Sequence, residues 1–307
     1  MDRLESAPMN TIQTLTVYLG SSGHARAVFK NAAKELGTLI GGNCYRLVYG
    51  GMDAGLMGLL AMAALGANGH VTGIIPRKLK DSERILDNLS KTVMVEDLWE
   101  RKKRMFKRAD AIISLPGGYG TLDESLEVLY WAKLGLHNKP LVLVNIEGYW
   151  NELITYLSAL PDFDKRFLIV VDAVKDIIPA LENYASLPEP EDTDRYPHFE
   201  DEICRKTAQP IIIDRPSVEN SYYAVCAIGL KQLHKHKRPI GFLNSNSEFD
   251  ALISWIKTAE KERFITSECR KLFTSEEDED TLHQTLKNQK YIEIDLHGAK
   301  WGPQETT

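Results

Sequence analysis

The chain has 307 residues, 43% hydrophobic and 26% charged, with a formal net charge of −6. That composition can bury a sizeable core and excludes an intrinsically disordered chain, and the acidic balance argues against a general nucleic-acid binder. The length fits one large domain, or one domain and a smaller unit.

In chain order, residues 15–22 (LTVYLGSS) read as a buried strand entering a small-residue turn. Apolar residues recur at helical spacing over 25–41, and residues 46–51 form a second strand ending in glycines. The apolar stretch 55–67 is a buried helix, too short to span a bilayer. Residues 70–76 are a third strand. A polar loop, a short strand near 92–95 and a basic amphipathic helix over 98–109 follow. Then come a strand at 111–115, a helix over 121–134, a strand at 141–145 and a helix over 149–159. Strands alternating with helices predict a Rossmann-like α/β fold, a parallel sheet with helices on both faces. Near Leu187 the composition shifts to LPEPEDTDRYPHFEDE, which reads as an exposed connector.

The cysteines Cys44, Cys204, Cys226 and Cys269 are dispersed, in no metal-binding or redox spacing, and fit a reducing cytosol. The first ten residues lack an apolar signal core. A soluble cytoplasmic protein without metal or cofactor, and without membrane or nucleic-acid partners, is expected.

The remainder of the chain carries an internal echo. HNKPLVLVNIEGYWNELITYL, from His137, resembles HKRPIGFLNSNSEFDALISWI, from His236, at an offset of 99 residues. His137/His236, Pro140/Pro239 and Asn145/Asn244 coincide, and generic packing does not require them. In the second copy Gly117, Gly118, Gly120 and Glu124 are replaced by Pro216, Ser217, Glu219 and Tyr223. The C-terminal unit therefore reads as a smaller α/β unit, a degenerate partial repeat that keeps its packing residues and loses its chemistry. It lacks counterparts of the first two strand–helix pairs and is marginal alone.

SLPGGYGTLDE, from Ser114, places a glycine-rich turn between a strand and a helix. Glycines let backbone N–H groups approach an anion, and the helix start adds unpaired donors and partial positive charge. Thr121 can cap that helix or bind phosphate, and Glu124 can close a capping box with it or act chemically. The turn matches neither a P-loop nor a dinucleotide fingerprint. Arg101 starts the preceding helix, which descends about 16 Å before the next strand returns, so Arg101 and Glu124 reach the same sheet edge. Ser21, Ser22 and Gly51 end strands at that edge, where α/β proteins bind ligands.

PGGYGTLDE matches the PGGxGTxxE signature of the LONELY GUY (LOG) family, and ERKKRMFKRADAIIS resembles the family's preceding block. YLGSS, LVYGGMDAGLMG, VTGIIPRKL and LEVLYWAKLGLHNKPLVLVN are similar to its other blocks, in the same order, over about residues 15–182. The resemblance implies hydrolysis of a nucleoside 5′-monophosphate, a cytokinin riboside monophosphate or AMP, to free base and ribose 5-phosphate. It implies Arg101 and Glu124 as the catalytic pair, Gly117, Gly118, Gly120 and Thr121 as the phosphate cradle, and Lys102 as a substrate ligand. A homodimer is the implied assembly. A non-catalytic carrier of nucleotide or molybdenum cofactor is the alternative on the same fold. Members are often called lysine decarboxylases, but no pyridoxal lysine is identifiable.

Trp99, Lys78, Tyr130 and Met52 depart from the family pattern and put substrate choice in doubt, Trp99 as a larger side chain expected to reshape the pocket. The expected organisation is a LOG-like domain over 11–187, an acidic connector over 188–202, and a partial repeat over 203–307 that covers the first domain or a partner chain.

Overall fold

A computed structural model of the chain describes residues 12–79, 84–185, 187, 190, 194–296 and 298. The first half runs β1 (Thr14–Tyr18), α1 (Ala27–Gly42), β2 (Arg46–Tyr49), α2 (Gly55–Gly66), β3 (His70–Pro76), β4 (Lys91–Val95) and α3 (Leu98–Arg108). It continues through β5 (Ala111–Ser114), α4 (Tyr119–Lys133), β6 (Leu141–Val144), α5 (Asn151–Ala159), β7 (Leu168–Val171) and α6 (Ile177–Glu182). The strands form a seven-stranded sheet in the order β4-β3-β2-β1-β5-β6-β7, parallel throughout. This is the Rossmann-like α/β class. β1, β5 and β6 are almost wholly buried, which is why they read as near-continuous apolar runs.

The strand order reverses between β1 and β5, whose paired ends are Tyr18 and Ser114. Chains leaving two such strands diverge and open a crevice beyond their carboxyl ends. Here the two exits are Gly20–Ser22 and Pro116–Gly118, tied together where the Gly20 N–H donates to the Pro116 carbonyl at 3.1 Å.

The C-terminal unit comprises α7 (Glu200–Ile203), β8 (Ile211–Ile213), α8 (Val218–Gln232), β9 (Ile240–Leu243), α9 (Asp250–Lys261), β10 (Thr274–Glu276) and α10 (Glu279–Asn288). Its strands make a second parallel sheet, β10-β9-β8. α8 packs on α4 and α9 on α5. The Trp150 and Trp255 rings stack at 5.6 Å, and Tyr156 shares a 2.8 Å hydrogen bond with Ser221.

The residues shared at the offset of 99 have a common physical role. The His137 Nε2–H donates to the Val128 carbonyl at 2.8 Å, and Nδ1 accepts from the Lys139 N–H at 3.1 Å. His236 repeats this with Ala227 at 2.8 Å and Arg238 at 3.2 Å. Each ring ties a helix end to the following strand, and burial holds both imidazoles below their ordinary pKa, hence neutral. Asn145 accepts from the Trp150 N–H and donates to Asn151, each at 2.8 Å. Asn244 does the same with Phe249 at 2.9 Å and Asp250 at 2.7 Å.

The expected exposed connector is only partly that. Its residues 188, 189 and 191–193 lie outside the described residues. From Tyr196 onward it packs as an aromatic strap. Tyr196 lies against Phe106 and Trp131, and Trp131 donates to the Pro197 carbonyl at 2.9 Å. Phe199 lies against Tyr130, Tyr222 and Tyr223.

Trp255 is fully buried. Its truncation, Trp255→Ala, is expected to cost about 3–5 kcal/mol in urea unfolding, and the Trp150→Ala/Trp255→Ala double variant less than the sum of the singles.

Candidate functional site

The crevice at the strand-order reversal holds a cavity of about 220 Å³. Four segments of the first half line it: Leu19–Ser21 after β1, Met52 and Met57 after β2, Leu98, Arg101 and Lys102 of α3, and Gly118–Thr121 with Asp123 and Glu124 of α4. Local sequence fixes each segment. α3 starts at Asp97, whose side chain accepts from the Glu100 N–H at 2.8 Å, while Glu100 accepts from the Glu96 N–H at 2.8 Å. This capping arrangement sets Arg101 one turn into the helix. α4 starts two residues earlier than periodicity predicts, at Tyr119, with Gly118 as a cap that supplies no side-chain acceptor. Thr121 therefore lies in the first turn and Glu124 in the second, so the Thr121–Glu124 capping box is not formed. The first-turn N–H groups of α4 meet the cavity without a capping side chain, which suits an anion.

Arg101 Nη2 and Glu124 Oε1 are 3.5 Å apart. Arg101 Nε, although buried, finds no acceptor among the described residues. Glu124 is 9% exposed. Burial raises its pKa to about 7 against the lowering pull of Arg101 and Lys102. A carboxyl that titrates near neutrality in a cavity, beside a guanidinium with a spare donor, marks this pair as the candidate site.

Lys102 also lines the cavity, but its ammonium is spoken for. It is 4% exposed and lies 2.9 Å from Asp123 and 3.0 Å from Glu127. Burial works against its charge, yet the two carboxylates outweigh it and push its pKa well above the ordinary lysine value. Glu127 in turn accepts from the Tyr222 hydroxyl. Lys102 thus joins α3 to α4, rather than offering a free cation to a ligand as the sequence reading expects.

The cavity brings together Ser21, Arg101, Lys102, Gly118, Gly120, Thr121 and Glu124. Ser22, Gly51 and Gly117 lie behind it. The Ser22 hydroxyl donates to the Arg263 carbonyl at 2.7 Å. Gly51 has φ +82°, and a Cβ there would meet Ile75 at 2.3 Å. A Cβ on Gly117 would meet Thr121 Oγ1 at 2.1 Å. These two glycines serve backbone shape and close approach. Trp99 does not line the cavity. It stacks on His198 of the strap, ring centroids 4.4 Å apart, because the strap offers it an aromatic partner. Lys78 is exposed beyond β3, outside the lining.

Sequence reasoning misses the rest of the lining. Cys226, Gly229, Leu230 and Gln232 come from α8 and Leu233 caps its end, with Glu200, Phe264, Ile265 and Leu296 from other parts of the C-terminal half. Phe264 presses on Gly20, where a Cβ would meet its ring at 2.6 Å. The available signal was Gly229, which the repeat aligns with Tyr130.

Among known proteins, the family described as a possible lysine decarboxylase matches residues 57–181 and 224–286. The cytokinin riboside 5′-monophosphate phosphoribohydrolase LOG1 of Arabidopsis thaliana is 39% identical over 176 residues, spanning 55% of this chain and 83% of its own length. LOG5 of the same plant is 40% identical over 174 residues, spanning 55% and 76%. Among solved structures, the molybdenum cofactor binding protein from the phototrophic bacterium Rippkaea orientalis is 23% identical, with a TM-score of 0.45 over 55% of this chain and 94% of that one.

The burial of Glu124 has a thermodynamic signature. Its folded pKa of about 7 exceeds the ordinary 4.5, so the folded chain holds a proton that the unfolded chain has released between those pH values. Stability from this group is full below pH 4.5 and is lost as pH rises towards 7. Glu124→Gln is therefore expected to raise the unfolding temperature at pH 8 by about 2–5 °C, with the gain vanishing towards pH 4.5 in scanning calorimetry.

Proposed function

Since the chain belongs to the family of the LOG-type cytokinin riboside 5′-monophosphate phosphoribohydrolases, described at family level as possible lysine decarboxylases, we propose that it hydrolyses the N-glycosidic bond of a purine nucleoside 5′-monophosphate. The products are the free base, adenine or an N6-modified adenine, and ribose 5-phosphate. The observation that carries this reading is the Arg101–Glu124 pair, 3.5 Å apart in a cavity that also receives the uncapped start of α4.

The chemistry follows from those groups. As the C1′–N9 bond breaks, electrons leave with the base and C1′ gains oxocarbenium character. The Glu124 carboxylate stabilises that positive charge and takes a proton from the attacking water. The water oxygen bonds to C1′ and keeps one proton as the new hydroxyl, and the proton taken by Glu124 is passed on to the departing base, which leaves neutral. Arg101 favours the ionised form of Glu124, and its unpaired Nε is available to a substrate oxygen. The first-turn N–H groups of α4, with Gly120 and Thr121, receive the 5′-phosphate, so binding energy is spent away from the bond being broken. Lys102 does not suit decarboxylase chemistry. A Schiff base requires a neutral amine, and Asp123 and Glu127 hold this one protonated.

Incubation with a panel of nucleoside 5′-monophosphates, followed by chromatography, is expected to show base and ribose 5-phosphate in equal amounts. Glu124→Gln and Arg101→Ala are expected to lower kcat/KM by roughly 100-fold or more. Nucleotide binding with no release of base by the unaltered chain would replace this reading with that of a carrier. Because the working form of Glu124 is the carboxylate, kcat/KM should fall as pH drops through about 7, approaching tenfold per pH unit well below it.

A further inference from the structure

The contacts between the two halves come in swapped pairs. Trp150 meets Trp255 at 5.6 Å, and Tyr156 meets Phe249 at 6.3 Å. At the offset of 99, Phe249 is the counterpart of Trp150, and Trp255 of Tyr156. Residue i therefore meets the copy of j while j meets the copy of i. That reciprocity is the mark of a two-fold contact between like surfaces, here made within one chain.

The same exchange relates α4 and α8, and there it separates an open site from a closed one. Gly120 and Gly229 both line the cavity, and a Cβ built on either would meet nothing within 4 Å. Their swapped counterparts are Glu219 and Tyr130. At that second position the Tyr130 hydroxyl reaches Glu219 at 3.5 Å, and the Lys133 ammonium lies 3.7 Å from the same carboxylate. Phe199 packs against Tyr130 beside them. Of two symmetry-related sites, one stands open and the other is filled by side chains.

We propose that the C-terminal unit occupies the place of a second copy of the catalytic unit, so that the chain is its own partner and carries one nucleotide site. Its contribution to that site is a wall made by Gly229, Leu230 and Leu233, which determines what the cavity admits. Gly229 leaves open the space that Tyr130 closes at the mirrored position, and the two leucines give the wall an apolar character. The identity of the ligand rests on the nucleotide reading above, whereas the self-pairing does not.

Two measurements on the full chain test this separately. In hydrogen exchange, α4, α5, α8 and α9 should be protected equally over a roughly hundredfold range of protein concentration. Protection of α4 and α5 that grows with concentration would mean that another chain covers them, and would overturn the self-pairing. For the wall, AMP is titrated into the Glu124→Gln chain by calorimetry. One AMP per chain is expected. Gly229→Tyr in that background should weaken binding by roughly 100-fold or more, and Gly229→Ala by less than about threefold. Unfolding temperatures should stay within about 3 °C of the parent. Two AMP per chain, or unchanged binding in Gly229→Tyr, would overturn the inference. If AMP binds to no variant and not to the unaltered chain, the nucleotide reading fails, and the exchange measurement alone decides the self-pairing.

Discussion

The burial of one carboxylate, Glu124, in a crevice that the C-terminal helix α8 also lines is the constraint on which the site depends. A glutamate in the second turn of a helix at a sheet edge would ordinarily face water and ionise well below neutrality. Here Arg101 stands 3.5 Å away, the lining of α8 faces it, and burial outweighs the guanidinium, leaving the group near 7. The seven-stranded sheet supplies the edge and the crevice, and the capped start of α3 supplies Arg101. The C-terminal unit covers the crevice with Gly229, Leu230 and Phe264.

That cover also solves a problem of stability. A three-stranded sheet with its helices buries too little apolar surface to stand alone. Setting α8 and α9 against α4 and α5 buries Trp150, Tyr156, Trp255 and Phe249 together. The same docking of α8 on α4 brings Gly229 and Leu230 to the cavity. At the offset of 99, Pro216, Glu219 and Tyr223 stand where the first half has Gly117, Gly120 and Glu124, and Glu219 meets Tyr130 and Lys133 instead of a ligand. Tyr222 shows the reuse: it takes the place of Asp123 in the repeat and donates to Glu127 across the contact.

Much of the fold was legible. Apolar periodicity located the strands and helices through α5 within a few residues, and the echo from His137 to His236 marked β9 and α9. The glycine turn and its pairing with Arg101 were legible because topology forces both to one edge. The start of α4 was not, since Gly118 caps it without a side chain that would announce a helix. β7, a short, half-buried edge strand, carries too weak an apolar pattern to be read from sequence. The strap at Tyr196–Phe199 was hidden by surrounding acid and proline, which suggest solvent, while its aromatic rings find Phe106, Trp131 and Tyr130. The α8 wall lay beyond any local reading. Gly229 acquires meaning only once the two-fold relation sets it opposite Gly120.

The most direct measurement is the titration of Glu124 itself, followed by the carbon-13 signal of its side-chain carboxyl in the full-length chain, assigned by comparison with Glu124→Gln. A midpoint near pH 7 is expected. A midpoint at or below the ordinary 4.5 would mean that the group is not buried in the folded chain, and would contradict the role given to it.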